Sequence, residues 1–301
     1  VVASKNFGLM LGALAFFIWG CFPFYFKQFE QFEAYEVIAQ RFIWTCLGAA
    51  ICVWWLNWRN PEDPRDFSWL KSPLSVIGLI AAALFMMVNM VTYVYAVQHD
   101  LILEASLGYF LTPLISVALG FAFLGERLNR LQLAAVVLAM IGVSYMIVRL
   151  GHLPMIALIV GSSFAFYGLL HKALPITPVV SLFGETAFLA PILIAAGFYL
   201  DLPSFSLGFW LENPHQGLLF VMLGPITLIP LILYNKACKL APLSLVSLIG
   251  YLTPTMVFVI AIFAYAEPIN MTRLHGFILI WLGLAIFGFE RVVNYRKNAV
   301  G

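Results

Sequence analysis

The tripeptide Leu111-Thr112-Pro113 returns as Leu252-Thr253-Pro254, and it lies inside a longer echo: Ala96 to Gly142 can be laid over Ala237 to Gly283 without a gap, at a constant shift of 141 positions. At that shift Ser106 meets Ser247, Glu126 meets Glu267 and Asn129 meets Asn270. Identity is modest, but an ungapped run of this length marks a duplicated unit. A looser shift of 148 sets Phe16 on Phe164 and Gly20 on Gly168, which carries the duplication over most of the chain. The sequence therefore reads as a first repeat, residues 1–150, and a second, residues 151–301, joined in one integrated domain.

Composition says where the repeats live. Hydrophobic residues make up 63% of the chain and charged residues 10%, well under the roughly 25% charged that is usual in soluble domains. An apolar stretch of about 20 residues crosses a hydrocarbon layer of about 30 Å. Ten stretches qualify, near 7–26, 36–57, 73–97, 101–123, 131–149, 155–173, 180–200, 216–235, 243–264 and 272–293. In lipid every backbone N–H and C=O needs a partner within its own segment, so helices are predicted, and these runs are too long for barrel strands.

The shift of 141 maps spans 3, 4 and 5 onto spans 8, 9 and 10, so each repeat holds five helices. Five is odd, and the second repeat starts from the opposite side of the membrane. The predicted fold class is all-α integral membrane, ten helices in two inverted-topology five-helix repeats, an architecture associated with alternating access around a midplane site.

Twelve Lys and Arg residues, from Lys5 to Lys297, fall on the side shared by both termini, against Lys27, Arg149 and Arg273 on the other. Positive charge stays in the cytoplasm, which predicts cytoplasmic termini. The bases are spread over short loops rather than gathered in a patch, so no nucleic-acid partner is expected. The first span follows Lys5 but is too long for a signal peptide and has no small-residue cleavage site after it. Cys21, Cys46, Cys52 and Cys238 form no Cys-x-x-Cys pair and the five histidines have no ligand spacing, so neither metal nor cofactor is expected. Trp54, Trp55, Trp58 and Trp69 read as an interfacial anchoring belt.

The polar groups inside the spans carry the functional reading, because each is costly in hydrocarbon. Arg41 lies about 10 Å into span 2 from the outer side, at about 1.5 Å per residue. Trp44, three residues on, offers an aromatic wall on the same face. Glu104 enters span 4 from the same side, within reach of Arg41. The pair is open to a structural role, a packing salt bridge between spans 2 and 4, or to a functional one, in which it closes an outer gate or meets a carboxylate on the substrate. Glu185 is the counterpart of Arg41 and lies about 10 Å from the inner face. Buried there, it is a candidate proton carrier; otherwise it pairs with Lys172 or Lys236. Pro113 and Pro254 fall near the midplane of spans 4 and 9 and are candidate hinges. Gly224 to Pro230 in span 8 is a third weak point. Trp19, Tyr93, Tyr109, Tyr167, Tyr234 and Tyr251, with Asn89 four residues before Tyr93, are candidates to line a cavity for flat or amphipathic organic molecules.

At these residues the chain resembles the EamA branch of the drug/metabolite transporter superfamily, most nearly its RarD-type, chloramphenicol-sensitivity members. The resembling stretches are Trp19-Gly20 with Pro23 and Lys27, Glu36 to Arg41, Glu104 to Phe110 with Pro113, Gly125 to Leu128, Gly224 to Leu231, and Gly250-Tyr251 with Pro254. His171-Lys172 stands where the group prefers Arg-Lys, and Gln40 where it favours His. The resemblance implies ten helices in inverted repeats, a bacterial inner-membrane location, and efflux of small metabolites or drugs, amino acids among them.

The expected function is thus a secondary transporter, an exporter of amino acids or other small amphipathic compounds, with proton coupling as an option and a facilitative permease or importer as the alternative. Its expected partners are a small-molecule substrate, the lipid bilayer and protons. No Gly-x-x-x-x-Gly-Lys loop binds ATP. An embedded enzyme would need clustered histidines, paired acids or a nucleophile elbow, and a channel would need charge rings or a carbonyl filter; neither pattern is seen.

Overall fold

The computed structural model describes residues 2–59, 68–99, 101–152, 154–264 and 271–300; at 2–3, 68, 97–98, 102–104, 150, 261, 273 and 288–300 it describes the backbone only. Among these residues there is no strand. The helices are α1 (Val2–Gly20), α2 (Phe22–Phe26), α3 (Ala34–Arg59), α4 (Pro73–Gln98), α5 (Ile102–Leu124), α6 (Arg130–Leu150), α7 (Met155–Ala173), α8 (Pro178–Tyr199), α9 (Leu207–Glu212), α10 (Pro214–Leu240), α11 (Leu243–Ile249), α12 (Leu252–Phe263) and α13 (Met271–Val300). Among the described residues nine helical segments are long and apolar enough to cross a membrane, and α13 adds a shorter apolar stretch, Leu274–Phe287. Large side chains such as Phe121, Leu74 and Val148 are more than two-thirds exposed. A surface of that kind has to be covered by lipid.

Two of the expected continuous spans are broken. Span 1 divides between Gly20 and Phe22, where Cys21 N–H shares the carbonyls of Phe17 and Ile18 and Phe24 N–H turns to Cys21 O. Pro23 has no N–H to give to the carbonyl of Trp19, so α1 stops and α2 restarts with proline in its first turn. Span 9 divides at Gly250-Tyr251. There the bonds tighten to three-residue steps, Gly250 N–H to Ser247 O at 2.8 Å and Thr253 N–H to Gly250 O at 3.2 Å, because Pro254 has no N–H for Gly250 O. Pro113, Pro191, Pro225 and Pro230 lie within helices that remain continuous. The segment after α8 is no open loop either: it folds into a 3₁₀ turn, Pro203–Phe205, and α9. Of the expected tryptophan belt, Trp54, Trp55 and Trp58 are exposed, whereas Trp69 packs against the cluster of Val53, Leu79 and Leu174.

Small residues let the backbones touch. A Cβ added to Gly142 would lie 2.8 Å from Gly276 O, and one added to Gly283 would lie 2.8 Å from Ala135 O. Ala135 to Gly142 therefore runs against Gly283 to Gly276, so α6 and α13 are antiparallel. The two contacts are each other's images at the 141-residue shift. Along α1, Gly8 faces Leu240 and Ala241, Gly12 faces Val246, and Gly20 faces Met256; α1 thus runs parallel to α11 and α12. Close backbone approach of this kind is how helices associate where lipid removes the hydrophobic drive between them.

Replacing Gly283 by Leu is expected to cost about 1 to 3 kcal/mol, because the new side chain must displace backbone. The control is Gly208→Ala, where nothing lies within 4 Å of the added carbon. Melting of the purified protein in detergent should fall for the first and hold for the second; equal melting would show that α6 and α13 do not touch there.

Candidate functional site

Helix α3 presents two faces. On one, Glu36, Gln40 and Trp44 recur every four residues and grip the segment that follows α8. Glu36 Oε1 accepts the Ser204 N–H at 2.6 Å, and Gln40 Nε2 donates to Ser204 O at 3.1 Å and to its Oγ at 3.0 Å. Trp44 Nε1 donates to Gln40 Oε1 at 3.1 Å, Trp210 Nε1 donates to Ser204 O at 2.8 Å, and the two indoles lie 5.8 Å apart. Glu36, only 2% exposed, is answered by this backbone donor. Of this clamp Trp44 was the expected site residue, as a wall for the guanidinium, while Glu36 and Gln40 stood only within the stretch that carries the resemblance; the Trp44 indole turns to Gln40 and Trp210 instead.

Arg41 lies on the other face. Its Nε donates to Thr227 Oγ1 at 2.8 Å and its Nη1 to Met90 Sδ at 3.7 Å. The aromatic rings that meet it are Phe22 and Phe26, at 5.7 and 5.8 Å. The side chain of Glu104, expected beside it, is outside the described residues. Arg41 lines a narrow cavity with Phe42, Thr45, Met86, Met90, Thr186, Thr227 and Leu231, with a volume of about 20 Å³, room for about one water molecule. Met86 and Thr227 are 141 positions apart, and so are Met90 and Leu231. The cavity thus draws equivalent positions from both copies of the repeat.

A second polar cluster lies between α7, α8 and α10. His171 Nε2 is 2.9 Å from Glu185 Oε1, their side chains 1% and 5% exposed. Ser181 Oγ donates to the same carboxylate oxygen at 2.9 Å. Asn235 Nδ2 donates to Tyr167 Oη at 3.3 Å and lies 3.5 Å from His171 Nε2. Glu185 was expected to pair with Lys172 or Lys236 if it paired at all; its partner is the histidine. Lys172 instead donates to Cys238 O at 2.8 Å and Ala241 O at 2.5 Å and sits 3.7 Å from Glu126, while Lys236 lies over the ring of Phe7 at 5.7 Å. Glu126 caps α11, accepting the Leu243 and Ser244 N–H groups at 2.6 and 2.9 Å. His171 had been set aside with the other helix-end histidines. The missed signal was spacing, since Tyr167/His171 and Ser181/Glu185 are both i, i+4 pairs inside spans.

The remaining candidates divide among packing roles. Trp19 meets Phe16, Phe164 and Tyr234 at 5.4 to 5.8 Å, and Tyr234 is buried among them. Asn89 Nδ2 donates to Val160 O at 2.8 Å and Ser163 Oγ at 3.1 Å, which ties α4 to α7. Tyr93 and Tyr109 face each other at 6.1 Å. Tyr251 Oη donates to Phe110 O at 3.0 Å, a bond between positions 141 apart. Among the described residues no group of three His, Cys, Asp or Glu could hold a metal ion.

Comparison with known proteins gives the chain its kinship. The EamA-like transporter family matches residues 6–148 and again 153–289. An uncharacterized transporter of Pseudomonas aeruginosa, PA0485, is 39% identical over 98% of this chain and 97% of its own length. Protein RarD of Escherichia coli is 33% identical over 97% of each, and a chloramphenicol-sensitive protein RarD of P. aeruginosa is 27% identical over the same shares. One solved crystal structure superposes with a TM-score of 0.67 at 19% identity, over 93% of this chain and 96% of that one. With its membrane-length helices and these relatives, the chain is a multi-pass membrane protein of the EamA-like transporter family, in the RarD-type branch.

Proposed function

We propose that the chain is a secondary transporter in a bacterial inner membrane, built of ten helices in two inverted five-helix repeats, which exports small amphipathic compounds bearing a carboxylate by alternating access. The observation that carries the reading is the Arg41 cavity, lined by repeat-related pairs, Met86 with Thr227 and Met90 with Leu231. A site shared by two antiparallel copies can be exposed to either side by the same rocking motion. The antiparallel run of α6 and α13 and the two family matches support the inverted duplication.

Chemistry narrows the substrate. The cavity offers one guanidinium, three threonine hydroxyls and otherwise apolar or thioether walls. A guanidinium has five N–H donors in a fork that suits a carboxylate. Amino acids with apolar side chains, and other small carboxylates, match this balance of groups, and they enter once the narrow cavity opens. The basic residues shared by the two termini support cytoplasmic ends.

The test is uptake into proteoliposomes of labelled amino acids and, separately, labelled chloramphenicol. Arg41→Ala should lower flux about a hundredfold or more, the equivalent of about 3 kcal/mol of charged hydrogen bonding, while leaving folded protein in the membrane. Arg41→Lys keeps the charge, loses the fork and should fall between. Wild-type flux in Arg41→Ala refutes the role. For orientation, single cysteines at Arg127 and Asn213 should label from the cytoplasmic and outer sides respectively in intact cells; the reverse pattern overturns the assignment of sides.

A further inference from the structure

We propose that His171 and Glu185 form a one-proton site that drives the transport cycle, an inference that rests on the transporter reading above. With one proton between them the pair is neutral, whether as imidazolium and carboxylate or as imidazole and carboxylic acid. Without it, a carboxylate stands alone in a buried site, held by the Ser181 hydroxyl. Uncompensated burial of a charge is strongly unfavourable.

The groups around the pair do not supply the missing charge. From α7 comes Tyr167, and from α10 come Tyr234, Asn235 and Cys238. The neighbouring cations are already engaged: Lys172 by Glu126 and the carbonyls of Cys238 and Ala241, Lys239 by the carbonyls of Leu174 and Ile176, and Arg41 of α3, which shares its cavity with Thr186, by Thr227 and Met90. Toward the outer end, α4 and α5 meet α7 through Asn89, Gly108 and Val160, none of them charged. Losing the proton is therefore tied to letting water in.

Water has bonding partners here: among the described residues His171 Nδ1 and Asn235 Oδ1 are buried with no hydrogen-bond partner, the condition in which a polar site takes up water. The cluster neighbours the Arg41 cavity along two helices: the cavity-lining Thr186 follows Glu185 on α8, and the cavity-lining Leu231 lies one turn before Asn235 on α10. When α7 and α8 part, the N–H bond at His171 breaks, its electron pair stays on the ring, and the proton passes to water.

Two measurements test this on the full-length protein. In nanodiscs with labelled histidine, the ring-carbon resonances of the five histidines are followed over about pH 5 to 8, the range in which histidine ordinarily changes charge, with His171→Gln for assignment. The His171 signal should titrate, and its response should change in Glu185→Gln; a His171 fixed in one state throughout overturns the site. In proteoliposomes, a gradient of about one pH unit should drive about tenfold accumulation of the compound that moves. His171→Arg makes a permanent ion pair, which serves a structural role equally well. It should keep downhill exchange and lose the accumulation; retained accumulation overturns the proposal. If neither labelled amino acids nor chloramphenicol move in the wild type, the transporter reading falls, and the histidine titration still judges the site.

Discussion

In a bilayer no polar group can be left to water, and in this protein that constraint joins the two halves of the chain. Arg41 is answered by Thr227, Glu36 and Gln40 by Ser204, Glu126 by the amides of Leu243 and Ser244, Tyr251 by Phe110 O, and Thr253 by Phe16 O at 2.8 Å. Each of these bonds crosses from the first repeat to the second. Apolar contact between helices gains little over contact with lipid. Interlocking polar bonds and close glycine contacts are thus what give the assembly one arrangement rather than many.

The same bonds describe a closed molecule. At one end of the long helices the 3₁₀ turn at Pro203–Phe205 is pinned to α3; at the other, Lys172 and Glu126 bind the end of α10 to the start of α11. The cavity between them is narrow. On the alternating-access reading proposed above, opening toward either side means releasing one clamp while the other holds, and each clamp is a handful of hydrogen bonds. Such bonds contribute about 1 kcal/mol each, more where a charge takes part, so a bound substrate has enough interaction energy to shift the balance between them.

Much of this was legible beforehand, because span length and the ungapped echo are carried by many residues at once. The breaks at Cys21 and Gly250 were not read, although both prolines were seen. A proline within an apolar run either kinks or divides a helix, and the packing around it decides. Arg41 was legible from its cost in lipid, but its neighbours were not, since Thr227 and Phe22 come from distant parts of the chain. Asn89 was read toward the cavity from spacing alone; the structure spends its amide on α7. His171 escaped because a histidine in the last turn of a helix looks exposed until α8 and α10 are packed over it.

Pro113 and Pro254 occupy equivalent places, yet only the second divides its helix. Pro254 leaves Gly250 O without its donor, and glycine there tolerates the turn that Thr253 N–H then closes: a Cβ at Gly250 would press on Ser247 O at 2.7 Å and on the Phe16 ring at 3.1 Å. Pro113 deprives Tyr109 O, whose own side chain packs on Tyr93, and α5 continues. The repeats are therefore mechanically unequal although their frames match. In an ideally symmetric duplication the inward and outward forms would be equal in energy. On the alternating-access proposal, a divided span 9 beside a continuous span 4 removes that degeneracy, and the α11–α12 junction, where the backbone bonds step by three residues, is the place where the proposed rocking motion would meet least resistance.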